Sequence, residues 1–281
     1  MTVPIQLDPS AARPVPQQPR AQGSLSVSSK ARAEMSVLDD MHQRGSYKLL
    51  FPRRNGSALE AVVINTAGGV TGGDRYQLTA HAGANTQLIL TTQAAERAYR
   101  AQAGEVGQVT NTLSAGSHAA LHWMPQETIL FDNCALDRTL SVDLDTTATA
   151  LICETLVFGR MAMGEVLNSA VLRDRITVRR AGVPVFLDAL HLSGDVASHL
   201  ADPAVAAGAG ALATVVYTAP DAQTHLQPIR DSLGPQAGVS LLGPDLLVIR
   251  ALAHDSFVLR GTLVPLLKRL SGAPVPRPWM I

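Results

Sequence analysis

Five carboxylates, Asp74, Glu127, Asp132, Glu154 and Glu165, are the side chains of this sequence best placed to do chemistry, and each stands at the end of an apolar strand-like run. Oxygen donors of this kind hold divalent cations loosely, and a pair of them can also supply the acid and base of a glycosidase. Asp74 closes the stretch VINTAGGVTGGDRY, in which Gly68, Gly69, Gly72 and Gly73 form two pairs. A phosphate-binding P-loop needs Lys and then Ser or Thr after its last glycine. Here Asp74 follows Gly73, and the chain has no Gly-Lys pair. The G-x-G-x-x-G spacing of dinucleotide sites is also missing, and a carboxylate at this place would repel a phosphate. The loop therefore reads as a tight turn between two strands, with at least two of its glycines at φ > 0.

Other templates fail in turn. The sequence has no HExxH, no GxSxG and no clustered Cys/His set. His118 and His122 are four residues apart, which on a strand places them on one face. They read either as a metal pair or as ordinary half-exposed strand residues. Cys134 and Cys153 are not in a CxxC pair and read as reduced, buried thiols. The five carboxylates keep two readings as well. They are solvated turn positions, or some of them line an internal polar passage, where buried carboxylates must find partners, water or cations.

Lys plus Arg and Asp plus Glu both number 23 in 281 residues, and only 16% of residues are charged. A chain without net charge offers no field for nucleic acid or anionic lipid, and it favours association. Its length is that of one large domain. The first residues have no continuous apolar segment of the signal-peptide kind, and the longest small, apolar stretch, 204–217, is broken by glycine and too short for a bilayer. The expected location is the cytoplasm.

Residues 1–22, rich in Pro, Gln, Ala and Arg, read as a disordered tail, and 23–281 as a single domain. From Ser24 a period-two pattern begins. RYQLTAHA places Tyr76, Leu78 and Ala80 on one face, and RTLSVDLD does the same with Leu140, Val142 and Leu144. Ala181-Gly182 marks a hairpin tip. Many short strands predict a mainly β fold: an extended, superhelical all-β body followed by a few C-terminal helices. With no long helical crossover, neighbouring strands are expected to pair with each other. Past residue 195, HLADPAVAAGAGALATVV and DAQTHLQPIRDSL favour helix or loop, and GVSLLGPDLLVIRALA reads as a hairpin around Gly243-Pro244. Asp255 or Ser256 caps a helix whose apolar face is Leu259, Leu263, Leu266, Leu267 and Leu270, and Pro265 should kink or split it. The last stretch, SGAPVPRPWMI, reads as extended.

VINTAGGVTGGDRY, TTQAAERAYR, MPQETILFDNC and CETLVFGRMAMGE resemble, in this order and spacing, the urease accessory protein family UreD (UreH). The likeness runs from about Ser24 to the end of the chain, with Thr66 where the family usually has Pro. It implies a protein that is not an enzyme, that binds apo-urease and the helical protein UreF, and that through UreF meets the GTPase UreG. Together these insert nickel into urease, and a tunnel through the UreD body is the nickel route. The switch from period two to a 3.6-residue period, with exposed Leu and Ala and no net charge, predicts that the chain from about Leu200 onward contains the main helical elements and contributes to the UreF interface. No tightly bound cofactor or closed metal site is expected. Nickel would be in transit past some of Asp74, Glu127, Asp132, Glu154 and Glu165. Two other readings stay open: a β-helical glycosidase or lyase, against which stands an aromatic content of only 4%, and a pure adaptor with no metal role.

Overall fold

The computed structural model describes residues 18–53 and 56–280. The expected tail lies mostly outside the described residues. Its last part does not: Arg20 pairs with Glu105, and Gln22 already opens the first strand.

The fold is mainly β, and the chain winds between two sheets. One sheet has seven strands in the order β14-β13-β11-β8-β5-β1-β2. These are β1 (Gln22–Arg32), β2 (Met35–Gly45), β5 (Arg75–Ala82), β8 (Gly107–Ala115), β11 (Ala135–Leu144), β13 (Ala170–Arg180) and β14 (Val183–Gly194). The other runs β16-β17-β15-β12-β9-β6-β4-β3. Its strands are β3 (Tyr47–Leu50), β4 (Leu59–Asn65), β6 (Gln87–Thr92), β9 (Ala120–Trp123), β12 (Thr149–Phe158), β15 (Ala211–Thr218), β16 (Ala237–Leu241) and β17 (Leu246–Ala253). Two short strands, β7 (Glu96–Ala98) and β10 (Thr128–Leu130), continue from β12 as a branch.

Pairing between sequence neighbours holds only at the ends of the fold, for β1–β2, β3–β4, β13–β14 and β16–β17. In the body the expectation fails. β1, β5, β8, β11 and β13 form a parallel ladder, and so do β4, β6, β9 and β12. A parallel pair needs a long crossover. Here the crossover is a strand of the opposite sheet, so the chain climbs as a two-faced solenoid.

The period-two faces pack where the pattern places them. β5 reads exposed-buried throughout, with Tyr76, Leu78 and Ala80 inward, and β11 buries Leu140, Val142 and Leu144. These residues fill the space between the sheets. β12 is buried on both faces. Ala150, Ile152, Leu156 and Phe158 join the inter-sheet core, whereas Leu151, Cys153 and Val157 join a second core on the outer face.

Two helices cover that outer face, α2 (Ala222–Ser232) and α3 (Ser256–Ser271), whereas the short α1 (Val196–Ala201) packs Val196 and Leu200 on the inter-sheet core. Ala211–Thr218, expected as helix or loop, is strand β15, whose residues are nearly all buried. α3 buries the five predicted leucines, and Asp255 caps it by accepting from the Val258 amide at 2.8 Å. Pro265 neither splits nor ends it. Pro265 and Gly261, the residue whose carbonyl it leaves unbonded, both lie on the exposed side, where water can take over. Arg277–Met280 forms a 3-10 turn rather than an extended tail, with Trp279 buried. No described helix is long and apolar enough to cross a membrane.

Candidate functional site

The four stretches quoted above hold successive connections from the second sheet back to the first, and neighbouring ones touch side by side. Val70 bridges to Ala98, and Arg100 bridges to Cys134. The Tyr99 hydroxyl donates to the Gly68 carbonyl at 3.2 Å, and the Thr71 hydroxyl to that of Arg100 at 2.7 Å. Tyr99 meets Phe131 edge-on, and the Arg160 guanidinium lies 4.2 Å over the Phe131 ring.

The glycine loop joins β4 to β5. Gly68 and Gly73 have φ of +80° and +85°, in the region that favours glycine. A side chain at Gly69 would run into the Tyr99 ring and the Arg97 carbonyl. Asp74 is buried, and both its oxygens are used. It accepts the Ala21 amide at 2.7 Å and the Thr71 amide at 2.9 Å. It therefore staples the loop to the first strand.

The other carboxylates separate by environment. Glu127 is bound by Arg260 of α3, with 3.2 Å between them. Asp132 accepts from the Ser169 amide and from the Asn133 side chain. Glu165 is held by Arg160 at 2.8 and 3.0 Å, and these bonds lower its pKa. Glu154 alone of the five faces the interior. It lies in the middle of β12, not at a strand end, and is buried.

Around Glu154, side chains from both sheets line a partly open chamber of about 50 Å³, large enough for a water or two. The Trp123 indole donates to Glu154 Oε1 at 2.6 Å. Arg138 lies 2.7 Å from Oε2 and grips Asp174 through two bonds of 2.9 and 2.6 Å. Its third contact is the Thr128 hydroxyl at 3.1 Å. Two buried carboxylates thus share one guanidinium. Burial pushes the Glu154 pKa up, Arg138 opposes this, and Asp174 adds to it. Gln126 Nε2 is buried with no hydrogen-bond partner among the described residues, and Glu154 Oε2 has only its ion pair with Arg138.

The chamber adjoins a cleft of about 200 Å³ beside the glycine loop. Tyr47, Val63, Thr92 and Glu96 line both. Glu96 accepts from Asn65 at 3.1 and 3.3 Å, and burial raises its pKa. Glu96 therefore stands between the outer cleft and the chamber that holds Glu154.

Glu96, Arg138, Asp174 and Gln126 were missed by reading the sequence, although a signal existed. Arg138 is in phase with Leu140 and Val142, and Asp174 with Leu172 and Ile176, so both charges fall on buried faces. The histidine pair does not form. His118 sits in a turn at φ +56°, and His122 is buried in β9 opposite Ile89 and Leu151, on the outer face. Burial lowers the His122 pKa to about 4. Cys134 and Cys153 are free and buried, and burial pushes both thiols up to about 12. Among the described residues, no three His, Cys, Asp or Glu side chains gather as a metal-holding group.

These features define a two-sheet β solenoid with an ionic chamber between its sheets. Residues 21–280 match the family model described as UreD urease accessory protein, and the chain belongs to that family. It is 52% identical to the urease accessory protein UreD of Ruegeria pomeroyi over 257 residues, covering 92% of this chain and 100% of the relative. It is 48% identical to that of Roseobacter denitrificans over 264 residues, covering 94% and 96%. It is 42% identical to that of Rhizobium rhizogenes over 271 residues, covering 96% and 98%.

Proposed function

We propose that this protein matures urease as a non-catalytic scaffold in the cytoplasm, in a complex with apo-urease, UreF and the GTPase UreG. In this reading its inter-sheet chamber passes nickel towards the urease active site during GTP-dependent insertion. The observation that carries the reading is that the outer cleft and the chamber share a wall containing Glu96, with Glu154 on the chamber side. An ion in transit needs donors that release it, and carboxylates with water do so more readily than thiolates. Glu154 Oε2 makes no well-aligned hydrogen bond and is held only by its ion pair with Arg138 at 2.7 Å, beside a space large enough for water. Asp74, Glu127, Asp132 and Glu165 are tied to amides or arginines and serve to hold the walls.

The test is urease activation with purified partners, nickel and GTP, alongside pull-down of UreF and apo-urease. E154Q keeps an acceptor for Trp123 and leaves Arg138 with Asp174. E96Q keeps an acceptor for Asn65. Both should preserve the complex and slow activation, whereas E127Q, D132N and E165Q should activate normally wherever they fold and bind. Normal activation by E154Q and E96Q would remove the passage from this chamber. Activation lost only together with binding would make these residues structural.

A further inference from the structure

The segment between β9 and β10, Met124–Glu127, is one wall of the chamber, and it is gripped from outside. Pro125 and Gln126 line the chamber. On the inner side the Gln126 amide donates to the Thr92 hydroxyl at 2.9 Å, and the Glu127 carbonyl accepts the Glu96 amide at 2.9 Å. On the outer side the Trp279 indole donates to the Met124 carbonyl at 2.9 Å. Arg260 of α3 donates to Gln126 Oε1 and Glu127 Oε2, and to the Trp279 carbonyl at 3.0 Å. Its guanidinium lies 5.1 Å over the Trp279 ring. One arginine and one tryptophan therefore fasten the wall to α3 and to the Arg277–Met280 turn.

We propose that Arg260 and Trp279 are positioning residues that clamp Met124–Glu127 and so set access to the chamber around Glu154. Gln126 is the link. One end of its amide is held by Arg260, and the other, Nε2, is buried without a partner. Without Arg260 nothing on the outer side fixes that side chain, and rotation of Gln126 would open the wall beside Thr92. The segment is short, and its inner bonds are few, so local opening is cheaper here than in the parallel ladders. Use of the clamp in nickel passage rests on the reading above; the clamp itself does not.

The sequence has two tryptophans, so W279F leaves Trp123, bonded to Glu154, as the sole tryptophan, excited selectively over the tyrosines at the red edge of absorption. Acrylamide quenching is compared in W279F, W279F/R260M and W279F/R269M, Arg269 being an exposed residue of the same helix. Quenching of Trp123 should rise roughly threefold in W279F/R260M and stay unchanged in W279F/R269M. An equal rise with R269M overturns the clamp, and so does an equal constant in all three when R260M with Trp279 kept also matches the wild-type chain in hydrogen exchange at 92–96 and 124–130. Should W279F/R260M fail to fold, R260K alone is followed by hydrogen exchange. Exchange at 92–96 and 124–130 should quicken roughly tenfold while β8 and β11 keep their rates. Uniform quickening overturns the proposal. Raised quenching with unaltered urease activation would leave the clamp standing and remove the nickel route instead.

Discussion

Arg138 and Asp174 stand directly opposite each other on the neighbouring parallel strands β11 and β13, and both point into the space between the sheets. The guanidinium meets the carboxylate through Nε and Nη2, at 2.9 and 2.6 Å, in a fork geometry. Both groups are almost fully buried, and Arg138 also carries Glu154. D174A leaves Arg138 paired with Glu154, so its charge stays compensated, but two buried guanidinium N–H groups lose their acceptor, at about 1–3 kcal/mol for an unsatisfied buried group. D174A is expected to lose about that much stability in urea unfolding. D174N, which keeps one acceptor, should lose less. A D174A variant within about 0.5 kcal/mol of the parent would show that water reaches and solvates this site.

The Glu96 carboxyl gives a pH signature. Burial raises its pKa above the ordinary value of 4.5, with the Asn65 donor only partly offsetting this. The folded chain therefore binds this proton more tightly than the unfolded chain. The stability tied to it is complete below 4.5 and is lost as pH rises through the folded value. E96Q has no proton to lose. The stability of E96Q relative to the parent should thus increase as pH rises above 4.5. Urea unfolding at several pH values checks this, and a difference that stays flat or falls with pH refutes it.

Much of the body was legible because period two reports one buried face. β5 and β11 bury the residues their alternation marks, and the α3 leucines and Asp255 cap follow from helical spacing. What alternation does not encode is the partner of a strand. β5 shows the same pattern whether it pairs with β6 or, as it does, with β1 and β8. Glu154 was named among the candidates, but its place inside the fold was not legible, because β12 is buried on both faces, which erases the alternation that would have set its phase. Arg138 and Asp174 were legible in principle, as charges in phase with leucines. Their pairing was not, because it depends on the parallel register.

The Asp255 cap predicts a helix-specific loss. Asp255 accepts the Val258 amide at 2.8 Å, and this bond lowers its pKa. D255A should cost about 0.5–2 kcal/mol, and D255N much less, since an amide oxygen can accept the same bond. Hydrogen exchange should quicken first at the start of α3. If exchange changed at its far end and not at Val258, the cap would not be what holds the helix.

The glycine loop predicts a difference between two adjacent residues. Gly73 has φ +85°, and a β-carbon there would also press on the Arg20 side chain at 2.9–3.1 Å. Asp74 carries no such strain, but its two oxygens hold the amides of Ala21 and Thr71. G73A should therefore destabilise the fold by about 1–2 kcal/mol through backbone strain. D74A leaves two amides without acceptors, at about 1–3 kcal/mol for each that water cannot reach. Hydrogen exchange tells the two apart. D74A should free Ala21 and Thr71 selectively, whereas G73A should keep those two amides protected until the whole chain unfolds. If D74A left both amides protected, the staple between the loop and the first strand would have to lie elsewhere, and the adjacent Arg20–Glu105 pair would be next to test.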